Sequence, residues 1–111
     1  MTWVCSLPAR AMTRAMTARD VEAALLRRCA AAAREAAPTA ADQREAHVFR
    51  LAASAVRSRF PHEAANLLRA SERYFALHPD ERLPSAEVLR QGWIAGLPRL
   101  RDRLSRQLCK P

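Results

Sequence analysis

A phenylalanine–proline step, Phe60-Pro61, divides a helix-periodic run over Val48–Pro79 into two. Proline cannot continue the ladder of a helix interior, but its fixed φ and missing N–H suit a helix's first turn. One helix therefore has to close at Phe60, and another has to open just after it. Before the break, Phe49, Ala52 or Ala53, Val56 and Phe60 keep the spacing of one buried stripe. After it, Ala64, Leu67, Leu68, Ser71, Tyr74 and Phe75 do the same over His62–Leu77. Arg50 and Arg57, seven residues apart, share a face beside the first stripe.

A third periodic segment lies upstream. Thr17 or Asp20 can cap it, and Pro38 stops it at about Ala37. Val21, Leu25, Cys29, Ala32 and Ala36 form its expected stripe, with Arg27, Arg28 and Arg34 off it. Thr39 to Asp42 supplies a cap for the helix ending at Phe60. His47 and His78 read as a polar face residue and a helix terminator. Pro79 and Pro84 bracket a short extended link, His78–Leu83. Ser85 then caps a segment over Ala86–Ala95 that Gly96 ends, and Pro98 opens an arginine-rich stretch to Leu108. β-branched residues are few and never alternate, so no strand is expected.

The spacing predicts an all-α fold, an antiparallel three-helix bundle over residues 17–79. A basic N-terminal arm (1–16) precedes it, and a helical or extended basic C-terminal arm (80–111) follows it. With 111 residues, 50% apolar but rich in alanine and only 5% aromatic, the core is thin. Docking on a partner is then expected to contribute to stability.

Net charge is +8, and eighteen of the nineteen basic residues are arginine. The excess is spread unevenly: +2 over 1–16, +2 over 17–80 and +4 over 81–111. Local clusters, not the bundle's overall charge, must do any recognition. Cys5, Cys29 and Cys109 are odd in number and widely spaced, which fits neither a disulfide framework nor a zinc site. His47, His62 and His78 match no metal-ligand spacing, and no apolar run approaches the ~20 residues of a membrane span. The acid-free, arginine-bearing start suits a retained mitochondrial targeting segment or an ordinary basic arm. Trp3 and Trp93 sit outside the bundle, where a tryptophan serves as an interface anchor or as ordinary packing.

The order of motifs carries a resemblance. Leu25-Leu26-Arg27 lies on the first helix, Arg57-Ser58-Arg59-Phe60 closes the second, and Leu67-Leu68, Glu72 and Phe75 precede His78-Pro79 on the third. In this the chain resembles the LYR-motif family, most closely the branch serving as accessory subunits of the distal membrane arm of mitochondrial complex I. Leu26 replaces the family's tyrosine, and the long aromatic-rich C-terminal region is missing. The likeness covers about residues 20–84.

The resemblance implies a non-catalytic subunit that anchors an acylated mitochondrial acyl carrier protein and supports membrane-arm assembly. Arg27, Arg28, Arg50, Arg57 and Arg59 would meet the carrier's acidic helix and phosphodiester, since guanidinium forks bind both with charge-assisted bonds. Leu25, Phe49, Ala53, Val56, Phe60 and Leu68 would wall a slot for the acyl chain. Ala32, Ala52, Ala53 and Ala64 either leave that slot open or pack helix to helix and close it. The acyl-4′-phosphopantetheine belongs to the partner; no cofactor or metal is expected on this chain itself. The expected setting is the matrix face of the mitochondrial inner membrane, peripheral, beside neighbouring complex I subunits and without nucleic acid.

Two other classes compete. A pI of about 11.1 fits a small mitoribosomal RNA binder, although one lysine, few aromatics and a nearly balanced bundle argue against it. A different LYR-type assembly factor or subunit of another mitochondrial complex is the nearer rival. An enzyme is disfavoured: there is no glycine-rich phosphate loop and no paired acid and base, and Glu63 beside His62 has no nucleophile placed with it.

Overall fold

The computed structural model describes residues 17–83 and 96–110. Its elements are α1 (Ala18–Arg34), α2 (Gln43–Val56), α3 (Pro61–Leu77), a 3₁₀ turn (Pro79–Glu81) and α4 (Leu97–Leu108). The fold is all-α, as expected, with no strand among the described residues. The N-terminal arm with Trp3 and Cys5, and the Ser85-capped segment with Trp93, lie outside the described residues.

Local chemistry sets each start. Thr17 Oγ1 accepts from the Asp20 amide at 3.0 Å while the Asp20 carboxylate accepts from the Thr17 amide at 3.2 Å. That reciprocal pair satisfies two of the orphan amides at the head of α1. At α2 the Asp42 carboxylate accepts from the Glu45 amide at 2.8 Å, a cap worth about 1 kcal/mol. α3 opens on Pro61 without a side-chain cap, because proline's missing donor removes part of the need for one.

α2 and α3 form an antiparallel hairpin. Ala46, near the start of α2, packs with Tyr74 and Phe75 at the end of α3. α1 lies across both, and Asn66 Nδ2 of α3 donates to the Ala33 carbonyl at 3.1 Å, filling one of the acceptors left open at the end of α1. The main core joins Leu26, Cys29, Ala33, Phe49, Ala52, Val56 and Leu67 from these three helices. Burial pushes the Cys29 thiol up to about 12, with Glu45 adding to the rise and Arg28 opposing it.

Several expectations need correction. α1 ends at Arg34, not Ala37, because Glu35 turns extended (φ −78°, ψ 146°) and the chain drops Pro38 into the interior. Ala36 is consequently exposed, outside the stripe. Leu26 is the buried leucine of α1, and Leu25 only flanks the core. α2 stops at Val56 rather than Phe60, which serves as the N-cap position of α3. His47 is buried among apolar neighbours, its ring 4.8 Å from that of Phe75. Leu68 points outward, 44% exposed. The link after α3 contains a 3₁₀ turn instead of being extended throughout, closed by Tyr74 Oη donating to Glu81 at 2.7 Å and by the Tyr74 ring stacked on His78.

The largest correction concerns the C-terminal stretch. Residues 97–108 are not an arm free for neighbours; α4 packs against α1 and α2 as a fourth helix of the bundle. Leu100 and Leu104 are buried in the main core, and Leu97 and Leu108 pack against it. The spacing 97, 100, 104, 108 is one helical stripe, and burying a leucine is worth about 1.5–3 kcal/mol. Arg103 donates to Glu22 at 2.9 Å and Arg34 donates to the Gln107 carbonyl, tying α4 to both ends of α1.

Candidate partner-binding groove

Where the α2–α3 hairpin faces outward, the two helices leave a groove of about 440 Å³. Ala53, Ala64 and Ala65 form a shallow apolar floor, Leu68 stands beside it, and Arg50 and Arg57 edge it. The groove exists because alanines occupy the crossing. Longer side chains there would fill it. Arg50 and Arg57 are exposed, and their seven-residue spacing puts both on the α2 rim. Neither has a carboxylate partner among the described residues.

The residues nominated from sequence separate into three groups. Arg50, Arg57, Ala53 and Leu68 come together around this groove. Phe49 and Val56 are fully buried core residues, with Leu25 and Phe60 packed at its edge. Arg27 and Arg59 are exposed away from the groove; Arg59 lies over the Phe60 ring at 5.6 Å. Arg28 is committed internally. Its guanidinium meets Glu45 at 3.2 Å and Glu35 at 3.4 Å, donates to the Thr39 carbonyl and lies 5.7 Å from the Phe49 ring centre. It clamps the α1–α2 connection around the nearly buried Glu45.

Of the two outcomes open to the alanines, helix-to-helix packing is the one found in the core. Ala32 and Ala52 are buried at helix contacts. Ala53 and Ala64 look toward the outer groove from almost complete burial. Any chain-like apolar ligand would therefore lie in the surface groove rather than thread the core. Ala65, Ser54 and Leu51, which also line it, are not among the residues nominated from sequence. The signal for Ala65 was its position beside Ala64 on the helix facing Ala53.

Beneath Arg50 sits the site's electrostatic oddity. His47 is 1% exposed, and no well-formed hydrogen bond reaches either ring nitrogen. Burial holds its pKa below the ordinary 6.5, Arg50 adds to the depression, and the Leu83 backbone opposes it. The sign follows from proton counts. Below about pH 6.5 the unfolded chain takes up a proton that the folded imidazole refuses, so acid favours unfolding. Stability should be full above that pH and fall below it by up to about 1.4 kcal/mol per pH unit from this group. Urea titrations at pH 7.5 and 5 should show the drop, and His47→Phe should flatten it. An equal drop in the variant would assign the effect elsewhere.

No cluster of three His, Cys, Asp or Glu side chains placed to hold a metal ion occurs among the described residues. No described helix is long and apolar enough to cross a membrane. No protein-family model, curated protein or solved structure matches the chain.

Proposed function

We propose that this chain is a non-catalytic helical adaptor that anchors an acidic acyl carrier protein. The observation that carries the reading is the α2–α3 groove, where Arg50 and Arg57, exposed and without a carboxylate partner among the described residues, edge an alanine floor. The cations suit the carrier's carboxylates and the phosphodiester of its prosthetic arm. The apolar floor suits the acyl chain, each buried methylene contributing about 0.8 kcal/mol. The resemblance to LYR-motif proteins supplies the setting: an accessory subunit of mitochondrial complex I, peripheral on the matrix side of the inner membrane. Arg28 belongs to the scaffold in this reading, and Arg50 and Arg57 do the docking.

The test is Arg50→Glu with Arg57→Glu. Reversing two contact charges should weaken capture of an acylated carrier at least about 100-fold, by analogy with close interfacial charge pairs. Helical content should stay intact because both side chains are exposed. The acylated carrier should also bind more tightly than its unacylated form. Unchanged capture by the double variant would remove the proposal. Mass spectrometry of native-gel bands would then distinguish complex I from another mitochondrial assembly.

A further inference from the structure

A second cleft, of about 820 Å³, opens between the C-terminal end of α2 and the outer face of α4. Among the described residues, Arg59, Arg101, Arg106 and Lys110 line it against a single acid, Asp102. Elsewhere in the bundle several arginines have a carboxylate partner on another residue stretch: Arg28 with Glu45, Arg103 with Glu22 and, at the surface, Arg82 with Glu72. In this cleft most of the cations lack one among the described residues. Only Arg101 meets a carboxylate, that of its neighbour Asp102 at 3.6 Å. Four positive groups against one carboxylate leave the lining at +3. Like charges gathered on a concave surface repel one another, and an anion held between them removes that repulsion.

We propose that this cleft binds a ligand carrying two neighbouring phosphate groups and no base. One phosphate group carries roughly −1.5 to −2 at neutral pH, so two of them match the lining charge. Guanidinium forks engage phosphate oxygens in pairs, and Lys110 adds a point charge. Ser58 and Ser105 supply hydroxyl donors at the wall, while Ala55 and Val56 give an apolar floor that strengthens the field. The nearby helix carbonyl ends of α2 and α4 oppose any anion in proportion to its charge, so the attraction has to come from the four cationic side chains. Among the described residues no aromatic side chain lines the cleft, so a nucleobase would meet only guanidinium planes there, which the phosphates themselves engage. A soluble diphosphate and a lipid headgroup with two phosphates present the same chemistry.

Cys109, exposed in the same wall, provides the readout. In the full chain carrying Cys5→Ser, pyrophosphate should bind saturably and slow thiol labelling at Cys109. A parallel arm uses phosphatidylcholine vesicles with and without a diphosphate-bearing anionic lipid. Tighter binding to pyrophosphate assigns a soluble source, and tighter binding to the doped vesicles assigns a lipid. Arg59→Glu with Arg106→Glu should lower affinity about 100-fold in the productive arm. The milder Arg59→Gln with Arg106→Gln should lower it about 10-fold, which guards against misfolding of the reversed variant. Arg50→Glu with Arg57→Glu should leave it unchanged, separating this site from the carrier groove. The proposal is overturned if neither arm binds, if sulfate binds as well as pyrophosphate, or if a single-stranded RNA oligomer binds more tightly than either.

Discussion

Replacing Leu100 and Leu104 together by alanine is expected to remove cooperative unfolding or to leave only a remnant of it. Both leucines are buried in the core that α4 shares with α1 and α2. Large-to-small changes at such sites lose transfer free energy and leave a cavity, on the order of 5 kcal/mol for the pair. A domain of this size has only about 5–15 kcal/mol in total. The surviving ties of α4, Arg103 to Glu22 and Arg34 to the Gln107 carbonyl, are partly solvated and cannot compensate. Denaturant titration followed by far-ultraviolet circular dichroism gives the answer directly. A loss under about 1 kcal/mol would mean that α4 is the dispensable arm its arginines suggest, not a fourth wall of the bundle.

Phe49→Ala carries the next largest effect, a loss of about 3–5 kcal/mol. Phe49 is fully buried on α2, the helix that meets all three of the others. Removing its ring therefore opens a void that no single neighbour can close by shifting. The melting temperature should fall by about 12 °C or more. The ring also lies 5.7 Å from the Arg28 guanidinium, which holds Glu35, Thr39 and Glu45. A double-mutant cycle pairing Phe49→Ala with Arg28→Ala should show a coupling of about 0.5–1 kcal/mol. Strict additivity would show that the clamp acts through its ion pairs alone.

The helix starts were legible because they rest on local chemistry. Asp42 caps α2 and Pro61 opens α3 where the residue types demand it. The faces were harder. A single stripe describes a helix packed on one side, but α2 sits in the middle and buries Glu45, His47 and Val48 along with the expected Phe49 and Val56. His47 was misjudged as a face residue for that reason. In α1 two adjacent leucines left the register ambiguous, and the contact with α3 and α4 decided it for Leu26. α4 was misassigned because its arginines dominate the composition. Its leucine stripe was present all along, and only a groove between α1 and α2 to receive it was missing from view.

The candidate groove was half legible. Arg50 and Arg57 share a face by spacing alone, and Ala53 was nominated with them. The role of Arg28 could not be read, since its partners lie 7, 11 and 17 residues away, across a loop whose path periodicity does not define. The α2–α4 cleft was hidden for the same reason: Arg59 and Arg106 become neighbours only once α4 has docked.

Cys29 adds a last consequence. Fully enclosed and held protonated, with its pKa near 12, it cannot meet an alkylating reagent while the helices are shut. Every modification at that sulfur must then record a moment of opening. The chain thus contains its own stopwatch for breathing motions, one that a mass spectrometer can read peptide by peptide.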